Sequence, residues 1–282
     1  MPETTFTATC TDRDHRRKAT ATAVRAGVAL VTSLASACAH SAEPLSRDAD
    51  ASARSLVESA PESTGEWIYD GAVYSQDTTR SAPLFRYDRR VRVTGPTLVS
   101  THITRDASGR IVVTQVAEHD SSYRVRSASM TQRQTGVSAS VRVAGDQATF
   151  SREEGGHTET RSETLSLPLV VGPTLFGFIG AHWSDLLAGA RVPLRFAVLE
   201  RNQSIGFVLE RLPDSSHRVT FRMTPSNWVM RRAIAPTYFH FDAASRHVQA
   251  YEGRVPPLEQ VGTSLRALDA RVRYTFHAAE YR

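Results

Sequence analysis

"GPTLFGFIGAHWSDLLAGARVP", Gly172 to Pro193, is the long stretch of this 282-residue chain in which apolar residues recur at helical spacing. Phe176, Ile179, Trp183 and Leu187 follow one another at gaps of three, four and four, the period of one helical face. Leu175, Phe178 and Leu186 widen that face. Pro173 suits a first helical position, and Gly189 suits a C-terminal stop. The spacing predicts a helix over about residues 173–188. Gly177 and Gly180 lie inside it, at a cost of about 1 kcal/mol each relative to alanine. Such a cost is tolerated where a backbone must come close to another surface.

Around this segment the pattern has a period of two. In "RVRYTFH", Val272, Tyr274 and Phe276 oppose Arg271, Arg273 and Thr275. In "SYRVRSASM", Tyr123 and Val125 oppose Arg124 and Arg126. The same alternation runs through Arg89–Val93, Ser140–Val143, Leu194–Val198 and Val219–Met223. Strands with one wet and one apolar face read this way and belong to antiparallel sheets buried on one side. Asp-rich loops punctuate them: "RDASGR" (Arg105–Arg110), "PDSSHR" (Pro213–Arg218) and "FDAASR" (Phe241–Arg246). "VAGDQA" and "EEGGHT", beginning at Val143 and Glu153, look the same. Asp and Ser side chains bond their own backbone in turns, so these are hairpin loops of a meander. A further short helical turn is expected at Pro225–Ile234, capped by Ser226 or Asn227. The predicted fold class is mainly β: a strongly curved antiparallel sheet of about ten strands, a barrel or half-barrel, with the central helix packed on its concave face. A flat sheet that wide would curl or split.

The N-terminal part reads as an address. A basic cluster, Arg13, Arg16, Arg17 and Lys18, precedes an apolar run whose uncharged part, Ala26 to Ala37, is too short to span a bilayer. That order makes residues 1–37 a signal peptide. The cut region Ala35-Ser36-Ala37-Cys38 resembles the lipobox of bacterial lipoproteins, with Ala35 in place of the usual leucine. Two processings fit it: lipidation of Cys38, or ordinary cleavage after an A-x-A site. Lipidation accounts for Cys38 best, because a bare N-terminal thiol is an awkward leftover in a secreted chain. Residues 38–65 then form the lipid anchor and a flexible tether, rich in Ala, Ser, Asp and Glu and poor in large apolar residues. Residues 66–282 form a single β-rich domain. The expected location is the cell envelope, at the periplasmic face of the outer membrane, since Ala39 rather than Asp follows the cysteine.

Cys10 and Cys38 are the chain's two cysteines, so the domain has none for a disulfide or a cysteine zinc cluster. Every basic residue except Lys18 is arginine, and the net charge is only +5, which gives no case for nucleic acid.

The segments "VVGPTLFGFIGAHWSDLLAG", "RNQSIGFVLERL" and "YFHFDAASRHVQAYEGRV" resemble a loose group of uncharacterised exported bacterial proteins. The overall plan is similar to the half-barrel of the periplasmic lipoprotein carriers and related lipid-binding domains. That resemblance implies a groove between sheet and helix suited to an acyl chain or another apolar ligand, lined by Phe176, Ile179, Trp183 and Leu187. It implies no catalytic residues.

Motifs of known chemistry are missing: no G-x-S-x-G, phosphate loop, dinucleotide-binding glycine pattern or H-E-x-x-H is present. His182 and Asp185 are three apart on the helix and within reach of each other, while Ser184 points elsewhere. "YFHFD" sets His240 and Asp242 on one side of a strand, with His247 past the turn, a thin case for metal. Glu153 and Glu154 are adjacent and point apart. Arg92, Arg124, Arg126, Arg142, Arg195, Arg222, Arg271 and Arg273 sit on polar strand faces, a solvated surface or a basic wall for anionic groups. No cofactor, no catalytic residue and no metal site are expected. The leading expectation is a non-enzymatic binding module for a lipid or other apolar ligand. The alternatives are an envelope scaffold with a closed core, and a hydrolase using His182 with Asp185 or the His240 hairpin.

Overall fold

The computed structural model describes residues 66–76, 82–213 and 217–277. The signal segment 1–37, the lipidation residue Cys38 and the tether 38–65 lie outside the described residues. The strands are β1 (Glu66–Ser75), β2 (Phe85–Thr94), β3 (Thr97–Asp106), β4 (Ile111–His119), β5 (Val125–Gln132), β6 (Val137–Ala144), β7 (Gln147–Glu154), β8 (His157–Thr164) and β9 (Leu169–Val170). After a helical segment come β10 (Val192–Val198), β11 (Gln203–Arg211), β12 (Arg218–Pro225), β13 (Thr237–Asp242), β14 (Val248–Val261) and β15 (Ser264–Phe276). All fifteen join one curved sheet in the order β8 to β1, then β15 to β9. Each ladder is antiparallel except β9 on β10. Two meanders are therefore fused where β1 pairs with β15, Tyr69 opposite Phe276 and Ser75 opposite Ala270.

The class is the expected one, but the count of about ten strands is corrected to fifteen. Alternation reveals a strand only when one face is apolar. β8, "HTETRSET", is polar on both faces and is exposed along almost its whole length. It forms one edge of the sheet, and its charges suit an edge that must not pair with another chain. That edge approaches the turn before β11 through side chains. Asn202 Nδ2 donates to the Glu159 carbonyl at 3.2 Å, and the Ser204 N–H donates to Glu163 Oε1 at 3.1 Å. Arg195 reaches the same Glu163 at 3.4 Å.

The loops at Asp106 and Asp242 are hairpin turns, and residues 214–216 of the Pro213–Arg218 loop lie outside the described residues. Asp106 Oδ1 accepts the N–H groups of Ser108 and Arg110 at 2.9 and 3.1 Å. The Ser108 hydroxyl, with Arg110, holds the Asp106 carboxyl down to about 2. Asp242 Oδ1 accepts the Ser245 N–H at 2.7 Å in the same manner. The Tyr123 region departs from expectation. The strand starts at Val125, and Tyr123 sits in the preceding turn with φ +59°.

The helical segment is two helices, not one. α1 (Gly172–Ala181) and α2 (Trp183–Leu187) are separated by His182, whose φ −102° and ψ 16° break the ladder. Pro173 stands in the first turn, the Val171 N–H donates to Thr174 Oγ1 at 3.1 Å, and Gly189 ends α2 with φ +88°. Residues Pro173 to Ile179 are all buried, so α1 is covered on every side rather than along one stripe. Gly177 shows how. The Tyr123 ring lies against it so closely that a β-carbon there would come within 1.9 Å of Cε1. The helical glycine is the price of that cap. The short helix α3 (Met230–Ala233) occupies the expected turn, with Asn227 Oδ1 accepting the Val229 N–H at 2.8 Å.

Two apolar clusters fill the concave side. One gathers the helices against β10–β14 and β1, with Phe176, Trp183, Phe221, Phe239 and Phe241. The other gathers β4–β7 with β14 and β15, including Met130, Val141, Phe150 and Leu268. Each such side chain contributes about 1.5–3 kcal/mol on burial.

Candidate functional site

The four residues expected to line a groove divide three to one. Phe176, Ile179 and Trp183 are 5%, 0% and 3% exposed, and Leu187 is 37% exposed. Phe176 packs on the rings of Tyr69, Tyr274, Phe239 and Phe241 at centroid distances of 5.3 to 6.2 Å. Trp183 meets Phe221 and Phe241 edge-on at 5.2 and 5.4 Å, and Arg246 lies over its ring. Leu187 does not share this face. The break at His182 rotates α2, and Leu186, fully buried, takes the inward place. Aromatic side chains of the sheet thus occupy the space in which a ligand had been expected against these helical residues.

Between the two apolar clusters lies a belt of polar groups whose arrangement alternation did not reveal. Arg89 is fully buried, on the inward face of β2. Its Nη1 donates to the Pro173 carbonyl at the start of α1, and its Nη2 donates to Ser100 Oγ at 3.2 Å. Ser100 Oγ stands 2.8 Å from His119 Nε2, and His119 Nδ1 stands 2.8 Å from the Asp120 carbonyl. A carbonyl only accepts, so Nδ1 carries the proton, and Nε2 accepts from the Ser100 hydroxyl. This chain is complete with His119 neutral. Burial and the Arg89 charge lower the His119 pKa, against the raising influence of Asp120. His102, in contact with Tyr69 at 3.3 Å, is held well below 6.5, by burial first and then by Arg89. Tyr87 donates to Tyr274 at 2.5 Å, and burial pushes both phenols far up.

Ser100 with His119 has the spacing of a nucleophile and its base. Both side chains are 0% exposed, Ser100 also accepts from Arg89, and the Tyr123 ring stacks on His119 at 5.1 Å. Both groups are enclosed, and Arg89 links Ser100 to the Pro173 carbonyl at the start of α1.

The remaining candidates are dispersed. His182 Nδ1 and Asp185 Oδ2 are 3.6 Å apart on the surface. His240 faces outward between Thr220 at 3.1 Å and Glu252 at 3.8 Å, whereas His247 stacks flat on Phe276 at 4.2 Å. Asp242 is engaged by Ser245, so the three do not converge. Among the described residues no group of three His, Cys, Asp or Glu side chains is placed to hold a metal ion, and no helix is long and apolar enough to cross a membrane. Several of the arginines on polar faces are individually paired: Arg195 with Glu163, Arg222 with Glu210 at 2.7 Å, and Arg271 with Glu252 at 3.2 Å. Arg124 lies in the turn before β5, outside a strand.

One hollow opens on the outer face of β12–β15, with a volume of about 500 Å³. Ala250 lies between His240 and Arg273 in register, so a methyl group sits between two long side chains. Arg218, Arg271, Tyr238, Thr220 and Glu252 complete the polar part of its wall. Arg273 lies over the Tyr74 ring at 5.5 Å.

No family model matches the chain, and no curated protein or solved structure matches it either.

Proposed function

We propose that this protein is a non-enzymatic interaction protein of the cell envelope, tethered through Cys38, whose curved sheet has a closed core and whose binding is done from outside. The observation that carries this reading is the all-round burial of α1, with Phe176 and Trp183 packed into the aromatic side chains of β12, β13 and β15. A carrier of acyl chains needs apolar surface that an incoming chain can cover. Here Tyr69, Phe221, Phe239 and Phe241 already cover it.

The test is a titration of the purified chain with N-phenyl-1-naphthylamine, an apolar dye that brightens when it leaves water. A closed core gives no saturable brightening. Saturable, stoichiometric uptake that Phe176→Arg abolishes without lowering the melting temperature would restore the reading of an apolar-ligand carrier.

A further inference from the structure

We infer that the outer hollow over Ala250 is a binding site for a phosphoryl group. The inference rests on the reading that recognition takes place on the outer surface. Three guanidiniums, from Arg218 on β12 and from Arg271 and Arg273 on β15, line the hollow, and the described lining holds one carboxylate, Glu252. Glu252 is engaged by Arg271 at 3.2 Å, which offsets one positive charge and fixes that guanidinium at the wall. Arg218 lines the hollow, and Arg273, whose guanidinium also lies over the Tyr74 ring at 5.5 Å, flanks it from β15. Their combined charge matches the roughly −1.5 to −2 of a phosphomonoester near neutral pH.

The shape follows from strand register. Arg218, Thr220 and Arg222 alternate with Val219, Phe221 and Met223 on β12, and Tyr238 and His240 alternate with Phe239 and Phe241 on β13. The inward residues are locked in the core, so the outward ones stand on a rigid base. The β-bulge between His240 and Phe241 shifts the register of β14 and brings Ala250 to the centre. Long side chains around a methyl floor leave a volume of about 500 Å³, which exceeds a phosphoryl group and leaves room for an attached body the size of glycerol or a sugar. The guanidinium forks, with the Tyr238 hydroxyl beside them, supply donors for phosphoryl oxygens, while the Thr220 hydroxyl is already paired with His240. An apolar ligand would have to displace water from these charged groups without replacing their hydrogen bonds, which is costly.

A phosphoryl group is carried by a free phosphomonoester or, as a phosphodiester with a single negative charge, by a phospholipid headgroup. Isothermal titration calorimetry of the full chain separates the two, using glycerol 3-phosphate, glycerol, and dihexanoyl phosphatidylglycerol below its micelle concentration. Glycerol 3-phosphate is expected to bind with an affinity that falls as salt rises, and glycerol is expected not to bind. Tighter binding of glycerol 3-phosphate identifies a free phosphomonoester as the ligand class. Tighter binding of the phosphatidylglycerol identifies a lipid headgroup. Arg218→Gln and Arg273→Gln are each expected to weaken binding roughly tenfold, and Arg273→Lys is expected not to restore it, because lysine lacks the planar fork. These side chains point outward, so unchanged melting temperatures will show that the variants are folded. The proposal is overturned if neither phosphoryl probe binds, or if both glutamine variants bind as the parent does. Dye uptake by the core and loss of phosphate binding at the hollow are separate readouts, so either proposal can fail alone.

Discussion

The two faces of β12–β15 are built from alternate residues of the same strands, yet they do opposite things. Inward, Phe221, Phe239 and Phe241 pack with the helices, Val272 joins the second apolar cluster, and all four are at most 1% exposed. Outward, Thr220, His240, Ala250 and Arg271 surround a hollow. Parity decides which face each residue joins. Volume decides the rest: the three inward phenylalanines are large and close the space, whereas Ala250 is small among long neighbours and opens it. A filled face stabilises the fold, and an unfilled face over a rigid base is where a ligand can be held.

The inner face is the more sensitive of the two to substitution. Trp183→Ala removes a ring from between Phe221 and Phe241 and is expected to destabilise the chain by about 3–5 kcal/mol in denaturant unfolding. A loss below 1 kcal/mol would mean that the inner face is not tightly filled. Gly177→Ala places a methyl into the Tyr123 ring and is expected to cost about 1–3 kcal/mol. Adding Tyr123→Ala should recover part of that loss, and a strictly additive double mutant would contradict the contact.

Acid acts on the polar belt. His102 and His119 have pKa values below 6.5 in the folded chain, so folding favours their neutral forms. Their contribution is fully present above the unfolded value near 6.5 and is lost as pH falls below it toward the folded values. Each group adds a slope of at most about 1.4 kcal/mol per pH unit. His102→Gln should flatten this acid limb in melts between pH 7 and 5, and an unchanged limb would count against a neutral buried imidazole. On the outer face the effects shrink. Removing Arg222 from its half-exposed bond with Glu210 is expected to cost no more than about 1 kcal/mol. Arg273→Gln should fall within about 0.5 kcal/mol of the parent while weakening phosphate binding.

Several of these elements could be read from the residues. The spacing of Phe176, Ile179 and Trp183 located the helical segment, and the glycine within it marked a close approach that proved to be the Tyr123 ring. Leu187 was misplaced because periodicity assumes one continuous helix, and nothing in the local pattern marked His182 as the break. The all-round burial of α1 had a trace in sequence, since Gly172 to Ala181 contains no charged residue. Arg89 had one too. It shares parity with Val91 and therefore belongs on the inward face, but an arginine at such a position reads as solvated until Pro173 and Ser100 are found beside it. β8 was invisible because it lacks an apolar face. The outer hollow depends on which strands adjoin and on the bulge at His240, and single strands do not carry that information.

The claim on which the rest depends is that side chains, not a guest molecule, fill the space between helix and sheet. Native mass spectrometry of the chain purified from envelopes tests it most directly. The expected mass is that of the polypeptide from Cys38 onward plus its covalent acyl groups, with nothing further bound in the core. A stoichiometric non-covalent lipid that survives purification, and that Phe176→Arg removes from a folded protein, would contradict it.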